Sequence, residues 1–424
     1  MIFALIAFII LLLLQIPISF VLGITTFFYI FLSANFGLLD ATPQRLFSGL
    51  ESYGLLAIPM FMLAGELMNS GGITSRLVNF SKTMVGHFRG GLAYVNVVSN
   101  VLLASIIGSA TAQIAMMSKI MVPSMEKEGY SKEFATATTA SAGILGPIIP
   151  PSMMFIIYGV TSGTSIGDMF LGGVFPGILI TFLFIVLIGY FGTKHQWPTL
   201  TRSTVSQMFK SFISVIPALL VPIIIIVGIL TGIFTATEAA SIACIIALFV
   251  GGFLYKEIKL KSIPRILINT AITTATITML IAMANIFGWV LAFERIPQQI
   301  ATWMTSLTDN ALIFLIIVNI FLLIVGMFLD GIAALIILVP IFMPLIINYN
   351  IDPVHFGVII CINLTIGLLT PPVGTGLFIA SSLTNIKLER LVRAIWPFLL
   401  ASIVALFIIS YAPQIVTWLP SIFN

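Results

Sequence analysis

Two stretches of the chain, about 220 residues apart, combine residue types that could bind an ion inside a membrane. Residues 144–152 run Ile-Leu-Gly-Pro-Ile-Ile-Pro-Pro-Ser, and residues 365–373 run Thr-Ile-Gly-Leu-Leu-Thr-Pro-Pro-Val. Both are Gly-x-x-x-Pro-Pro breaks within long apolar runs, and paired prolines interrupt a helix and leave carbonyl groups free. Carbonyl oxygens suit hard cations such as Na⁺, and the helix N-termini formed at the breaks favour a carboxylate. Matching breaks in two halves of a chain indicate a midplane binding site in a secondary transporter.

The composition defines the class of protein that must position these breaks. The 424 residues are 59% hydrophobic and 8% charged, whereas roughly 25% of the residues in a soluble domain are charged. The sequence therefore predicts an all-α polytopic membrane protein in contact with the lipid bilayer. Its net charge of +4 is attributed to cytoplasmic loops and not to nucleic-acid binding.

The sequence contains neither a disulfide framework nor the motif of a known enzyme class. Its two cysteines, Cys244 and Cys361, both lie in apolar runs and are expected to be buried as small apolar side chains. His-Glu-x-x-His, phosphate-loop and Gly-x-Ser-x-Gly motifs are absent from the chain. We therefore expect no enzyme activity, and transport energy is expected to come from an ion gradient. No pattern of a removable signal peptide is recognised at the N-terminus.

Nine apolar runs have about the length that crosses a bilayer, and two other pieces are interrupted. The pieces are residues 91–125, with a small-residue tip at Gly108–Ala112, and residues 309–347, with a tip at Gly326–Gly331. Val-Pro phrases near their ends, at Pro123 and Pro340, look related. The nine predicted spans lie near residues 2–33, 50–70, 131–160, 169–191, 213–232, 238–254, 266–293, 354–385 and 391–412.

Flanking charges predict that the two interrupted pieces are re-entrant hairpins that enter from opposite faces. Basic residues collect on the cytoplasmic side of membrane proteins. The first piece has basic residues at both ends, which predicts that both ends are cytoplasmic. The second piece is flanked by Asp309 and Asp352, which predicts that both ends lie outside. The basic residues around the first piece are Arg76, Lys82, Arg89, Lys127 and Lys132.

The order of segments predicts an inverted repeat. Residues 50–191 and 266–412 each contain a span, a short amphipathic segment, a hairpin, a broken span and a further span. Nine crossings place the N-terminus in the cytoplasm and the C-terminus outside. The amphipathic segments 72–88 and 297–307 suit helices that lie along the membrane surface, with plain loops as the alternative.

A hairpin tip beside each break predicts two cation sites, with packing of small residues as the alternative for each glycine. The first site joins the tip of the first hairpin to the first break, and the second joins the second hairpin to the second break. Candidate ligands of the first are Ser105, Gly108, Ser109, Ala110, Thr111, Gly143, Gly146 and Pro147. Candidate ligands of the second are Gly326, Asp330, Gly367, Thr370 and Val373.

Charged residues at membrane depth are expensive and usually functional. Asp330 is expected either to bind a cation or to cap the helix that follows it. For Glu66 and Glu238, hydrogen bonds to a neighbouring helix or to the interface are favoured over ion binding, and Lys119 is expected to reach towards the cytoplasm. Residues placed near the substrate are Ala110, Pro150, Thr365 and Thr375, and no arginine is found at a clear midplane position.

Five stretches together resemble the large membrane subunit of tripartite ATP-independent periplasmic (TRAP) transporters, of the sialic acid or C4-dicarboxylate type. They are spread over most of the chain, and as a set they are highly specific. They are Pro59-Met60-Phe61-Met62-Leu63-Ala64-Gly65-Glu66-Leu67, Gly108-Ser109-Ala110-Thr111-Ala112, Gly146 to Ser152, Gly326-Met327-Phe328-Leu329-Asp330, and Gly367 to Gly376.

The resemblance implies an elevator-type ion transporter fold, in which a transport domain slides against a scaffold. It implies Na⁺ as the coupling ion, an organic-anion substrate, a small four-helix membrane subunit and a periplasmic substrate-binding protein. It also implies the inner membrane of a bacterium. The expected division is scaffold helices and an interfacial arm in 1–90, the first half of the transport domain in 91–191, scaffold helices and a second arm in 192–308, and the second half of the transport domain in 309–424.

Two other functions remain open at this point. A stand-alone Na⁺/divalent-anion symporter of similar architecture would need no binding protein. An ion channel would need a continuous pore, whereas hairpins that enter from opposite faces suit alternating access better.

Overall fold

The computed structural model describes residues 2–14, 16–195, 197, 199 and 201–423, and the regular structure in these residues is helical. Seven of the described helices are long and apolar enough to cross a membrane. An eighth crossing results if Gly37–Ser48 and Tyr53–Ser70, which are bent by 53°, form one span. The expected all-α polytopic membrane fold is confirmed.

The first ten helices reach from the N-terminus to the first long span. They are α1 (Ile2–Leu13), α2 (Ile18–Leu32), α3 (Gly37–Ser48), α4 (Ala57–Ser70), α5 (Ile73–Val85), α6 (Gly91–Ile107), α7 (Ala110–Lys127), α8 (Lys132–Gly143), α9 (Met153–Ser162) and α10 (Ile166–His195). A short 3₁₀ turn, Tyr53–Leu56, precedes α4.

Eleven more helices follow. They are α11 (Val205–Leu230), α12 (Ala236–Phe249), α13 (Ile263–Phe293), α14 (Ile296–Leu307), α15 (Ala311–Phe328), α16 (Gly331–Asn348), α17 (Pro353–Gly367), α18 (Thr375–Thr384), α19 (Leu388–Tyr411), α20 (Gln414–Thr417) and α21 (Pro420–Phe423). A π-helical turn, Val250–Leu254, extends α12, and a 3₁₀ turn, Leu260–Ser262, precedes α13. Both amphipathic segments are helical, as α5 and α14.

The prediction of a single span over residues 2–33 is wrong. The run folds as α1 and α2, which pack against each other. Pro17 stands between them with φ −54° and ψ 133°. Proline has no N–H to continue the helix, and it disfavours helical backbone in the residue before it. Mean hydropathy alone does not register this interruption.

Both interrupted pieces form helical hairpins with connections of two residues. Gly108 and Ser109 join α6 to α7, and Leu329 and Asp330 join α15 to α16. Gly108 has a φ of +63°, which favours glycine, and it ends α6. The side chains of Ser109 and Asp330 accept hydrogen bonds from the first turns of α7 and α16, so each tip is also an N-cap.

The two halves repeat at a constant interval in the sequence. Ser109 and Asp330 cap α7 and α16, and Ser131 and Asp352 cap α8 and α17, each pair being 221 residues apart. Helices α7 and α16 both have 18 residues, and α9 and α18 both have 10. The caps pair Pro123 with Pro344, so the sequence-based pairing of Pro123 with Pro340 is wrong by one helical turn.

The hairpins and the broken helices interlock across the two halves. Helix α9, beyond the first break, packs against α16 of the second hairpin, and α18, beyond the second break, packs against α7 of the first hairpin. Helix α9 also contacts the start of α17, where the Tyr158 hydroxyl donates to the Pro353 carbonyl oxygen at 2.7 Å. Each hairpin therefore covers the half-helix that leaves the break of the other repeat.

Both hairpin tips lie at the depth of the breaks. At the first tip, a methyl group on Gly108 would lie 3.3 Å from the Met153 nitrogen. At the second tip, the Gly374 nitrogen donates to the Met327 oxygen at 3.1 Å. Helices α15 and α16 each have the length and the apolar composition of a membrane span. The tip that joins them nevertheless contacts the second break, in the middle of a broken helix. This arrangement is that of two re-entrant hairpins.

Candidate functional site

The first junction brings the tip of the first hairpin against the first break. A methyl group on Gly146 would lie 3.3 Å from the carbonyl carbon of Ser109 and 3.3 Å from the Gly143 oxygen. A methyl group on Gly143 would lie only 2.4 Å from Ile114 Cγ1. Glycine is therefore required at both positions for the hairpin to approach, and three of the predicted ligands lie close together.

Gln113 adds an oxygen at this junction that the sequence analysis did not identify. Its side chain is fully buried, and its Nε2 donates to the Asn100 main-chain oxygen at 2.7 Å and to Asn100 Oδ1 at 2.8 Å. Its Oε1 is buried without a hydrogen-bond partner among the described residues and lies 2.7 Å from the position of a methyl group on Gly146. An unpaired buried acceptor costs about 1–3 kcal/mol, so this oxygen is suited to a bound cation.

A directed chain of hydrogen bonds fixes the orientation of the Gln113 amide. The Thr139 hydroxyl donates to the Ala135 oxygen at 2.7 Å, and Asn96 Nδ2 donates to Thr139 Oγ1 at 2.7 Å. Asn100 Nδ2 donates to Asn96 Oδ1 at 2.9 Å, and Gln113 donates in turn to Asn100. Every donor points away from the break, so only the acceptor end of Gln113 faces it. Such chains polarise their members and strengthen the terminal acceptor.

Most of the other predicted ligands of the first site already have partners. The Ser105 hydroxyl donates to the Leu102 oxygen at 3.0 Å, and the Ser109 and Thr111 hydroxyls are 3.2 Å apart. The Pro147 oxygen accepts from Ser152 Oγ at 2.5 Å, which leaves it a second lone pair. Their assignment as ligands stays a prediction.

The second junction is formed by direct contact between two glycine backbones. A methyl group on Gly367 would lie 2.6 Å from the Cα of Gly326, and one on Gly326 would lie 2.9 Å from the Leu364 oxygen. The Thr370 hydroxyl donates to the Ile366 oxygen at 3.0 Å, and Val373 lies in the same break. The structure therefore brings the predicted hairpin and break residues together, and close packing is one clear role of the two glycines.

Asp330 caps a helix in this structure. Its Oδ1 accepts from the Ile332 nitrogen at 3.0 Å, and the residue is exposed. Of its two predicted roles, capping is observed, and cation binding stays a prediction. Glu66 makes the bond to a neighbouring helix that was favoured, since it accepts from Asn269 at 3.3 Å. Glu238 instead forms a capping box with Thr235 at the start of its own helix.

The second half also contains a buried amide with an unpaired oxygen. Asn363 Nδ2 donates to Asn319 Oδ1 at 2.8 Å and to the Asn319 main-chain oxygen at 3.1 Å. Asn319 donates to Ser410 Oγ at 2.9 Å, and Asn363 Oδ1 is buried without a partner in the described part of the chain. Asn363 lies one helical turn before Gly367. The same bidentate amide arrangement thus occurs near both breaks, built from different sequence positions.

A cavity of about 280 Å³ lies beside the first junction. It is bounded by the first hairpin tip, the first break, α4, α11, α13 and Ile332 of the second hairpin. Within the described part of the chain, no lysine or arginine lines it. Its polar lining consists of Glu66, Asn69, Ser105, Ser109, Ser152 and Thr273.

The four residues predicted to lie near the substrate are not among those that line this cavity. Ala110 and Pro150 are buried at the first junction. The Thr365 hydroxyl donates to the Cys361 oxygen at 2.6 Å, and Thr375 Oγ1 is buried with no partner among the residues that the structure describes. The neighbours Ser109 and Pro151 do line the cavity, so Ala110 and Pro150 lie next to lining residues in the sequence. The assignment of all four residues to the substrate stays a prediction.

Opposed hairpins that meet two broken helices define a secondary-transporter type of membrane protein. Residues 5–415 match the family described as "Tripartite ATP-independent periplasmic transporter, DctM component". The chain belongs to this family, whose members are transporter permeases and not enzymes.

Two relatives match over nearly their whole length. The chain is 37% identical to the sialic acid TRAP transporter large permease protein SiaM of Vibrio cholerae, covering 96% of this chain and 95% of the relative. It is 37% identical to the C4-dicarboxylate TRAP transporter large permease protein DctM of Pseudomonas aeruginosa, covering 89% and 88%. The crystal structure of the Alcanivorax borkumensis YdaH transporter is similar in fold, with a TM-score of 0.62, 12% identity, and coverage of 89% and 88%.

Proposed function

We propose that this protein is the large permease subunit of a Na⁺-coupled TRAP transporter that imports an organic acid. The observation that supports the coupling is the buried, unpaired Oε1 of Gln113 beside Gly146. A cation bound there would pair this oxygen with main-chain oxygens such as that of Gly143. It would join the first hairpin to the first break through shared ligands.

Coupling then follows from where the ligands lie. Gln113 and Ser109 belong to the hairpin, whereas Gly143 and Gly146 belong to the broken helix. A cation at this junction holds the tip in place, and the ordered tip completes one wall of the adjacent cavity. Each ligand then increases the affinity for the other by the same factor, as linkage requires. The second junction, at Gly326 and Gly367 with Thr370 and Val373, is proposed to hold a second Na⁺.

The substrate is proposed to be a carboxylate of the sialic acid or C4-dicarboxylate type. The names of the two relatives mention sialic acid and C4-dicarboxylate. In the absence of a lining lysine or arginine among the described residues, hydroxyl groups of the cavity and a bound cation would hold such an anion, and the cation would offset the Glu66 carboxylate in the same lining. The helix α9, whose N-cap Ser152 lines the cavity, adds a positive helix end.

The proposed assembly has three parts. A small four-helix membrane subunit extends the scaffold, and a periplasmic binding protein delivers the substrate, as the tripartite family name implies. The hairpins and broken helices form a transport domain that moves as an elevator against the scaffold. The protein is proposed to lie in the inner membrane of a bacterium, with its C-terminus in the periplasm.

Uptake into proteoliposomes tests this function. The permease is reconstituted with its small subunit, and the binding protein is added outside with labelled sialic acid or a labelled C4-dicarboxylate. We expect accumulation with an inward Na⁺ gradient and none with an equal gradient of K⁺. Full uptake without Na⁺ would exclude the coupling, and uptake without the binding protein would favour a stand-alone symporter.

A further inference from the structure

A second polar cavity, which shares no lining residue with the first cavity or the two breaks, lies between the arm helix α5 and the start of α11. Its volume is about 630 Å³, and its lining combines three cations with hydroxyl and amide groups. Lys82 comes from α5, Arg202 from the preceding loop, and Lys210 from α11. Thr201, Ser203 and Gln207 supply polar groups between them. We call this cavity the basic pocket.

We propose that the basic pocket binds the phosphate headgroup of an anionic phospholipid. No carboxylate lines it among the described residues. Lys82, Arg202 and Lys210 form no ion pair and no side-chain hydrogen bond within the described part of the chain. Three cations around one void therefore carry an uncompensated charge, which a phosphate group would neutralise.

Arg76, another basic residue of α5, differs from the three cations of the basic pocket because its charge has partners. The guanidinium of Arg76 donates to the Gly72 oxygen at 2.8 Å and lies 3.8 Å from a Glu257 carboxylate oxygen. It also lies 4.0 Å from the centre of the Tyr255 ring. Lys82, nearly two turns further along α5, has no such partners within the described residues, although it is half-buried. The arm helix thus presents one neutralised end and one unneutralised end.

The walls of the basic pocket are held together by contacts that do not use the three cations. The Thr83 and Ser211 hydroxyls are 2.8 Å apart, and the Phe80 and Phe212 rings pack with centroids 5.8 Å apart. Thr204 caps α11 in a capping box with Gln207. The pocket is therefore formed in the folded protein and does not require the ligand to assemble it.

The apolar surface next to the pocket favours a lipid over a soluble phosphate. Phe209, Phe212 and Ile213 of α11 are 63%, 44% and 49% exposed. They continue from the pocket along a helix that is a candidate membrane span. A phospholipid seated here would place its phosphate among the cations and its acyl chains on these side chains. Basic clusters beside a membrane span are the general recognition element for anionic lipids.

Native mass spectrometry of the purified full chain tests the proposal without any transport measurement. The protein in detergent is titrated with phosphatidylglycerol and, separately, with phosphatidylcholine. We expect one tightly retained phosphatidylglycerol and at least a fivefold preference over phosphatidylcholine. The variant with Lys82→Gln, Arg202→Gln and Lys210→Gln is expected to bind this lipid about tenfold more weakly.

The matched control removes three positive charges elsewhere, through Lys256→Gln, Lys259→Gln and Lys261→Gln. It is expected to retain the lipid. Equal losses in both variants would indicate a general surface potential and would overturn the proposal, as would equal binding of the two lipids. Displacement of the lipid by millimolar inorganic phosphate would assign the pocket to a soluble anion instead. Lys82→Gln alone, with an expected loss of about threefold, serves as the test if the triple variant does not fold.

Discussion

Gln113 Nε2 lies 2.7 Å from the main-chain oxygen and 2.8 Å from the side-chain oxygen of Asn100, on the facing arm of the same hairpin. This bidentate bond stabilises the short tip and also determines which end of the Gln113 amide faces the break. If the amide were reversed, Gln113 Oε1 would face the two Asn100 oxygens, and no donor would lie between these acceptors. The free Oε1 is therefore a consequence of the hairpin's own hydrogen bonds. The same bonds hold this proposed cation ligand in a fixed position.

Removing the Gln113 oxygen is expected to weaken Na⁺ binding. Methionine has a similar length but no carbonyl, so Gln113→Met removes one proposed ligand and its bonds to Asn100. A ligand contribution of about 1.4 kcal/mol corresponds to a tenfold change. We expect the Na⁺ concentration for half-maximal uptake to rise roughly tenfold. Gln298→Met, the same change at an exposed position of α14, is the control. An unchanged Na⁺ dependence in Gln113→Met would remove the residue from the site.

A methyl group on Gly146 is expected to displace the same oxygen. It would lie 2.7 Å from Gln113 Oε1 and 3.3 Å from the Gly143 oxygen, so the junction must open. Overpacking of this kind costs about 1–3 kcal/mol. We expect Gly146→Ala to lower both Na⁺ affinity and thermal stability, measured by uptake and by the melting temperature of the purified protein.

Gly288→Ala is the matched control for Gly146→Ala. A methyl group at Gly288 meets no atom of the described residues within 4 Å, and the residue lies in the long helix α13. This variant should keep the melting temperature and the Na⁺ dependence of the parent protein. If Gly146→Ala behaves in the same way, the close approach of hairpin and break has no functional consequence.

The sequence predicted the architecture well because its main signals are local and strong. Apolar runs, paired prolines and basic loops each act over a few residues, and they located the hairpins, the breaks and the two amphipathic helices. Pro17 was missed because hydropathy averages over it. Gln113 was missed because its role depends on Asn100, thirteen residues away on another helix, and on which end of an amide is free. Likewise, Ser109 lines the cavity and its neighbour Ala110 does not. Which of two adjacent side chains reaches a cavity depends on the three-dimensional packing.

Thr370 separates ion binding from packing at the second break. Its hydroxyl donates to the Ile366 oxygen at 3.0 Å, which leaves its lone pairs available to a cation. Thr370→Val is expected to weaken the Na⁺ dependence of uptake several-fold while lowering protein yield little. Thr384→Val is the control, because Thr384 donates to the Ala380 oxygen in the same manner in α18. Equal losses of yield and Na⁺ dependence in Thr370→Val would favour a packing role.

The opposite entry of the two hairpins predicts opposite labelling of their outer ends. Glu128 follows α7 and Asp309 precedes α15, and both residues are exposed. The native Cys244 and Cys361 are buried, so single cysteines introduced as Glu128→Cys and Asp309→Cys should dominate the reaction with a maleimide. In spheroplasts, a membrane-impermeant maleimide is expected to label Asp309→Cys and not to label Glu128→Cys. Inside-out vesicles should give the reverse pattern, and the unmodified chain reports the background. Labelling of both positions from one side would contradict the inverted repeat, because the two hairpins would then enter from the same face.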